Sequence, residues 1–263
     1  MDQARTSIVI PTYNRAHLLP KAIQTSLDQT VKCEVIVVDH GSSDDTPDVA
    51  KSFGEAITYI RRERDFGPHF CWLEGVLHAS SEFVHLQYDD DWIEPTFVEA
   101  CLQQFDAKTG FVFTAARVVR EGTEQVLDIQ FDEWLPTTGV YPVGMLEKKI
   151  LSSLISPGAA VYRKQILIDT LYQGRLPLSE AEYHGVGPDC LVTLLSLLKY
   201  EKLGFVKEPL ATFQAHPQSI TIDAKSDPKK KQKINDAYKE VKRYYKELKL
   251  LKKIRRLKGL MKR

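Results

Sequence analysis

Three consecutive aspartates, Asp89, Asp90 and Asp91, close a short apolar run at residues 82–88. The run is typical of a buried strand, so the three carboxylates are expected to meet at one strand end. Adjacent carboxylates repel one another, and a hard cation such as Mn²⁺ or Mg²⁺, which takes oxygen ligands, would relieve that repulsion. The triplet therefore predicts either a metal site that also receives substrate phosphates or a solvated acidic turn.

The elements before the triplet indicate where it lies. Strand-like and helical patterns alternate, which is typical of a parallel sheet with helices on both faces. In such sheets, ligands bind outside the carboxyl ends of the strands. The polar segments 11–15, 39–45 and 89–91 each follow an apolar run, so we expect them to share one rim. The four strand-like runs are residues 7–10, 35–38, 57–60 and 82–88.

Three segments, SIVIPTYNR (7–15), VIVVDHGSSDDT (35–46) and LQYDDDW (86–92), occur in this order. Together they resemble the family 2 glycosyltransferases, and weaker similarity continues through residues 156–167, 185–194 and 208–221. The resemblance implies an α/β protein of the GT-A fold, with a mixed Rossmann-like sheet and flanking helices. It also implies a nucleotide-sugar donor, UDP-linked by expectation, and Mn²⁺ or Mg²⁺ as cofactor.

The same resemblance implies roles for residues near the amino terminus. Pro11, Tyr13 and Arg15 would border the base and phosphates of the nucleotide. Asp39 would accept a hydrogen bond from the imide N–H of the base, which favours uracil.

In the aspartate triplet, Asp89 and Asp91 take the two acidic positions of a D-x-D motif, with Asp90 between them. One carboxylate of such a motif contacts the ribose or the metal, and another binds the metal directly. A register of 90/91 is equally compatible with the sequence. Trp72-Leu73 stand where many relatives have Arg-Asn, so the contact usually made from that helix is not assigned here.

Transfer to an acceptor hydroxyl requires a general base. Asp189 stands two residues before the apolar segment 191–198, and a carboxylate at the start of that predicted helix is favoured by the helix dipole. The family has an acidic residue before this helix, so the resemblance implies that Asp189 is the base. Asp189 as a simple N-cap is the alternative, and Glu180 and Glu182 are the other candidates for the base.

One histidine is a further candidate. His216 stands three residues before Ser219, and the resemblance to a family segment with this spacing implies a phosphate or metal contact. An isolated histidine is otherwise structural or solvated.

The length of 263 residues suits one catalytic domain, predicted at 1–224, with an extension at 225–263. The four cysteines lack C-x-x-C spacing, which indicates neither a zinc site nor a disulfide framework, and reduced thiols fit the cytosol. The first residues lack the apolar core of a signal peptide, and no apolar stretch approaches the ~18 residues that span a bilayer. We therefore expect a cytoplasmic protein.

The net charge of +1 conceals an asymmetry. Residues 225–263 hold 17 Lys and Arg against 4 Asp and Glu, whereas residues 1–224 hold 19 against 31. A basic amphipathic helix is typical of membrane-surface or partner-binding elements, which predicts a peripheral position on the inner face of the cytoplasmic membrane. The alternative is a helix packed on the acidic domain; nucleic acid is not expected, because no binding motif accompanies the charge. Apolar residues recur every three or four positions at Ile234, Tyr238, Val241, Tyr245, Leu248 and Leu251.

The sequence thus predicts a metal-dependent, inverting glycosyltransferase that acts on a hydroxyl of a glycan or lipid-linked glycan, such as an O-antigen or capsule precursor. A sugar-nucleotide nucleotidyltransferase is one alternative, but residues 11–15 lack the glycine-rich loop expected there. A non-catalytic, membrane-associated scaffold is another, against which the intact acidic residues argue.

Overall fold

The computed structural model describes residues 4–123, 125–171, 176, 187–215 and 227–260. The elements in chain order are β1 (Thr6–Thr12), α1 (Leu19–Leu27), β2 (Cys33–Asp39), α2 (Thr46–Ser52), β3 (Thr58–Arg61), α3 (Pro68–His78), β4 (Phe83–Leu86), β5 (Trp92–Ile93), α4 (Phe97–Leu102), β6 (Thr109–Arg120), β7 (Val126–Gln130), β8 (Gly139–Pro142), α5 (Val143–Ser152), β9 (Ala160–Arg163), α6 (Lys164–Thr170), α7 (Pro188–Lys199), β10 (Lys202–Ala215) and α8 (Pro228–Leu260). Short 3-10 turns occupy Gly54–Ala56 and Pro157–Ala159.

One mixed sheet organises the described residues, in the order β3-β2-β1-β4-β9-β6-β10-β5. Strands β3, β2, β1 and β4 are parallel, as the alternating pattern predicted. Strand β9 is antiparallel to both β4 and β6, whereas β10 runs parallel to β6. Strand β7 pairs with β6, and β8 pairs with β10. The predicted α/β class with a mixed sheet and flanking helices is confirmed.

The strand register aligns the ends that carry polar residues. Thr12 at the end of β1 lies opposite Asp39 at the end of β2, and Asp39 lies opposite Arg61 at the end of β3. Strand β4 is in register with β1, since Val9 pairs with Leu86. The loops that follow β1, β2 and β4 therefore leave the sheet at the same edge.

Helix α3 covers β1 at unusually close range. Cys71, Trp72 and Val76 are buried on its inner face. Gly75 makes the approach possible, because a Cβ atom at that position would lie 2.3 Å from Val9 Cγ1. The packing of α3 thus fixes the strand that leads directly to the rim.

The predicted amphipathic helix of the basic extension is present as α8, and its two halves differ. In the first half, Ala237, Val241 and Tyr245 are buried, at a spacing of four residues. The hydroxyl of Tyr245 donates a 2.8 Å hydrogen bond to Glu147 of α5. Several apolar side chains of the second half are exposed instead, namely Leu250, Leu251, Ile254 and Leu257. None of the helices in the described residues combines the length and apolarity needed to cross a bilayer.

Candidate active site

The aspartate triplet forms the turn between β4 and β5. Asp91 is buried, with 8% of its surface exposed, and Asp89 and Asp90 are partly buried. The Nη1 atom of Arg15 lies 3.6 Å from Oδ2 of Asp90. The backbone N–H of Gln214, near the end of β10, donates a 2.9 Å hydrogen bond to Oδ1 of Asp91. The turn is therefore connected to two distant segments of the chain.

The electrostatics of the turn oppose ionisation. Burial, followed by the charge of Asp90, raises the pKa of the Asp89 carboxyl to about 7. The same two causes hold the pKa of Asp91 well above its usual range. Arg15 acts in the opposite direction on both groups. A cation bound at this turn would stabilise the ionised carboxylates.

The donor set fits a hard divalent cation that is completed by substrate. Among the residues that the structure describes, no three His, Cys, Asp or Glu side chains are arranged to hold a metal ion by themselves. Mg²⁺ typically takes one or two carboxylates together with substrate phosphates, and the triplet offers such carboxylates. The predicted ligand His216 lies outside the described residues.

Hydrogen bonds join the loop after β1 to the loop after β2. Asn14 has a positive φ of 52°, which Asn tolerates better than most residues. Its backbone N–H donates to Ser42 Oγ at 2.9 Å, and its Oδ1 accepts from the N–H of Ser43 at 2.8 Å. The N–H of Arg15 donates to Thr46 Oγ1 at 3.0 Å. This network holds Arg15 on the rim, facing the triplet.

The other two residues predicted to border the nucleotide lie at different depths. Pro11 is buried within β1, where it pairs with Val38. Tyr13 is 45% exposed, and its ring centroid lies 6.2 Å from that of His40. Tyr13 therefore offers an aromatic surface at the rim, whereas Pro11 shapes the end of the strand.

The carboxylate of Asp39 is fully buried and occupied by protein donors. Its Oδ1 accepts from the N–H groups of Gly41 and Ser42 and from the Ser42 hydroxyl, at 3.1, 2.9 and 2.6 Å. Its Oδ2 accepts from the Tyr59 hydroxyl at 2.7 Å and lies 3.6 Å from Arg61 Nε. A nucleobase N–H would share an oxygen that already accepts these bonds. Tyr59 and Arg61 were not singled out from the sequence, although their alternation in β3 places both on the face of Asp39.

Asp189 lies in the first turn of α7 and is 8% exposed. Its Oδ1 accepts hydrogen bonds from the N–H groups of Gly187 and Cys190, at 2.8 and 2.7 Å. Its Oδ2 accepts from the hydroxyl of Tyr238 in α8, at 3.1 Å. Burial raises the pKa of Asp189, against the effect of these hydrogen bonds. Gly187, and not Asp189, occupies the N-cap of α7.

Tyr88 connects Asp189 with the triplet. Burial raises the pKa of its phenol, and the negative charges of Asp189 and Asp91 raise it further. The ring rests on Gly158, where a Cβ atom would lie 2.8 Å from Tyr88 Cδ2. Trp72 packs edge-on against the same ring, with centroids 5.3 Å apart.

The structure thus brings Arg15 to the triplet, and the charge of Asp189 acts on Tyr88, which directly precedes the triplet and which the sequence placed only in the strand. The alternative candidates for the base, Glu180 and Glu182, lie outside the described residues.

The profile of the family described as glycosyl transferase family 2 matches residues 7–171. A GalNAc(5)-diNAcBac-PP-undecaprenol beta-1,3-glucosyltransferase of Campylobacter jejuni is 32% identical over 123 residues, which are 45% of this chain and 40% of that protein. An uncharacterized glycosyltransferase of Rickettsia typhi is 30% identical over 131 residues, 48% of this chain and 41% of that protein. The chain therefore aligns with about two fifths of the length of these curated relatives.

Solved structures share the fold at low identity. TarS 1–349 from S. aureus, in complex with UDP-GlcNAc, has a TM-score of 0.65 and 20% identity, over 81% of this chain and 59% of that one. The mannosyltransferase PcManGT from Pyrobaculum calidifontis, in complex with GDP-Man and Mn²⁺, has a TM-score of 0.57 and 17% identity. The match covers 83% of this chain and 59% of that one. These likenesses confirm the GT-A type of fold.

The family profile covers more than half of the chain and reaches from β1 to the end of α6. The segments that carried the sequence resemblance, with Arg15, Asp39 and Asp89–Asp91, all lie inside it. The chain therefore belongs to glycosyl transferase family 2, a family of transferases.

Proposed function

We propose that the chain transfers a sugar from a UDP-linked donor to a hydroxyl group of a glycan or lipid-linked glycan, with inversion at the anomeric carbon. Residues 1–224 would form the catalytic domain and residues 225–263 a helical extension. One observation carries the proposal: Arg15 lies 3.6 Å from Asp90 of the triplet, and the negative charges of Asp91 and Asp189 both act on the buried Tyr88 between them in the electrostatics of the site.

The donor diphosphate would lie against the triplet and Arg15. Asp89 and Asp91 would hold the cation, with Asp90 paired to Arg15 at 3.6 Å. Bound Mn²⁺ or Mg²⁺ supplies a Lewis acid that neutralises charge on the departing diphosphate. Arg15 adds a fixed positive charge on the same side. The UDP-GlcNAc bound to the TarS structure supports a UDP-linked donor, and the Mn²⁺ bound to PcManGT supports a metal.

The acceptor would approach from the side of Asp189. Its hydroxyl oxygen bonds to the anomeric carbon, the bond from that carbon to the diphosphate breaks, and the hydroxyl proton passes to the Asp189 carboxylate. A single displacement of this kind inverts the anomeric configuration. The raised pKa of Asp189 makes the carboxylate a stronger base than an exposed aspartate.

Features of α8 support a position on an anionic membrane surface. Exposed Leu250 and Leu251 stand beside Lys246, Lys253 and Arg256. The same cationic residues line a cavity of about 580 Å³ whose other walls include Leu197 of α7. Apolar side chains framed by cations suit the interface between lipid tails and anionic headgroups. The name of the Campylobacter relative, which includes PP-undecaprenol, supports a lipid-linked acceptor.

The deciding experiment is incubation of a panel of nucleotide sugars with Mn²⁺, with detection of free nucleoside diphosphate, and a parallel incubation with added pyrophosphate, with detection of nucleoside triphosphate. We expect one UDP-sugar to be hydrolysed slowly to UDP, and Asp189→Asn to reduce that rate about 10²–10⁴-fold while donor affinity is retained. Pyrophosphate exchange would instead identify a nucleotidyltransferase. Binding without turnover of any donor would support the scaffold.

A further inference from the structure

The carboxylate of Asp189 is held at both oxygens. Two backbone N–H groups, from Gly187 and Cys190, occupy Oδ1 at 2.8 and 2.7 Å, and Tyr238 occupies Oδ2 at 3.1 Å. A carboxylate has about four acceptor positions in total, so one remains on Oδ2 for a substrate hydroxyl. The backbone bonds alone leave the group free to pivot about Oδ1. The Tyr238 hydroxyl fixes where Oδ2 points.

Tyr238 belongs to the part of α8 that packs on the catalytic domain. Its neighbours Ala237 and Val241 are fully buried, and the helix packs along α7, which carries Asp189. Burial, followed by the charge of Asp189, raises the pKa of the Tyr238 phenol far above its usual value. The hydroxyl therefore stays protonated at every working pH, and its contact with the carboxylate is a donated hydrogen bond.

From this geometry we infer that Tyr238 is a positioning residue for the general base, so that the carboxyl-terminal helix completes the active site. This inference rests on the proposed role of Asp189. It assigns to α8 a function in catalysis that is separate from any contact its second half makes with lipid.

The inference predicts a shift in the pH dependence of the rate. A hydrogen bond donated to a carboxylate favours the ionised form, so its removal raises the pKa of Asp189 further above the usual aspartate range. Because the base must be ionised, the acidic limb of the kcat profile then moves to higher pH. The loss of one hydrogen bond to a charged group corresponds to about one to two pH units.

The phenols and the thiol near Asp189 do not confuse this titration, and the ¹³C shift assigned to Asp189 separates it from the titration of Asp91, whose pKa burial also raises. Burial holds the pKa values of the neighbouring phenols and thiol above their usual values, so these groups stay neutral where Asp189 titrates. Within the described residues, the titratable and charged groups that face Asp189 or its neighbour Cys190 are Tyr88 after β4, Asp91 beyond Tyr88, Tyr162 of β9, Cys190 of α7, and Tyr238 and Lys242 of α8.

The test compares Tyr238→Phe with Tyr245→Phe. Tyr245 is a matched control, because it is buried on the same helix and donates its hydroxyl to a carboxylate, Glu147, at 2.8 Å. Two quantities are followed against pH: kcat for the nucleotide sugar that the wild type hydrolyses fastest, and the ¹³C shift of the Asp189 carboxyl, identified by its loss in Asp189→Asn. The second needs no donor.

We expect Tyr238→Phe to move both curves to higher pH by about one to two units. At pH values below the acidic limb, kcat should be lower than that of the wild type by about 10-fold or more. Tyr245→Phe should match the wild type in both. Tyr238→3-fluorotyrosine keeps the ring and donates more strongly, so it should move both curves the opposite way. Because the fluorinated variant keeps both ring and hydroxyl, it tests the inference even if Tyr238→Phe folds poorly.

Two failures are distinguishable. If Asp189→Asn abolishes turnover but the curves of Tyr238→Phe coincide with those of Tyr245→Phe, the positioning inference is overturned and the base assignment stands. If Asp189→Asn retains full turnover, the base assignment is overturned, and the role of Tyr238 in catalysis with it.

Discussion

The guanidinium of Arg15 lies 3.6 Å from the carboxylate of Asp90, joining the loop after β1 to the turn after β4. The Nη1 atom that faces Asp90 is buried and makes no hydrogen bond within the described residues. Its position beside the carboxylates is suited to a phosphate oxygen, which would accept the bond that Nη1 lacks.

The first prediction concerns this pair. Arg15→Gln keeps a polar side chain but removes the positive charge beside the triplet. We expect UDP affinity in the presence of Mn²⁺ to fall about 10–100-fold, the usual effect of losing a hydrogen bond to a charged group. Isothermal titration calorimetry measures it. Arg243→Gln, which alters an exposed i,i+3 pair with Glu240, is the matched control. Equal affinities for the two variants would remove Arg15 from the donor site.

The second prediction concerns the metal. Asp91→Asn removes a charge that a divalent cation needs, so Mn²⁺-dependent binding of UDP should be lost and turnover should fall at least about 10²-fold. Because burial and Asp90 disfavour the charged form of Asp91, the variant should fold with equal or higher thermal stability. Asp48→Asn on the exposed face of α2 controls for loss of one surface carboxylate. Undiminished turnover in excess chelator, or full activity of each triplet variant made singly, would contradict the assignment.

The third prediction separates the two halves of α8. Ending the chain after Lys249 removes seven Lys and Arg residues and no acidic residue, while it keeps the Tyr245–Glu147 bond. We expect donor hydrolysis and melting temperature to stay near those of the full chain. Binding to vesicles that contain anionic lipid should be lost, since each basic residue near such a surface contributes up to about 1 kcal/mol.

Ending the chain after Asp227 is the contrasting variant. It also removes Ala237, Val241 and Tyr238, so melting temperature and donor hydrolysis should both fall. Full-length protein should leave the vesicles as salt rises, because charges are screened over about 10 Å at 0.1 M. A full-length protein that ignores anionic vesicles at low salt would refute the membrane contact.

The fourth prediction concerns the close packing of α3 on β1. Gly75→Ala forces a methyl group to within 2.3 Å of the buried Val9 side chain, so the free energy of unfolding should fall by about 1–3 kcal/mol. A melting curve measures the change. Gly144→Ala in α5 meets nothing within 4 Å and should leave stability equal or slightly raised, because alanine favours helix. Comparable losses of stability in both variants would show that the close approach of α3 to β1 does not cause the destabilisation.

Local chemistry let the sequence predict much of the first half of the fold. The apolar runs that became β1, β2, β3 and β4, each followed by polar residues, specify short buried strands and the rim they share. That pattern depends on hydrophobic burial and turn chemistry over a few residues, both of which are readable in a linear sequence. The position of Asp189 in the first turn of a helix could be predicted for the same reason.

Only the tertiary structure decided the contacts between residues far apart in the chain. The antiparallel insertion of β9 between β4 and β6, the bond of Tyr59 to Asp39 and the bond of Tyr238 to Asp189 have no local signal. Tyr238 was predicted as one apolar position of a basic helix, yet its hydroxyl reaches a carboxylate 49 residues away. Such pairings depend on strand register and on which helix faces pack together. They are therefore fixed by the competition among all buried contacts rather than by any one segment.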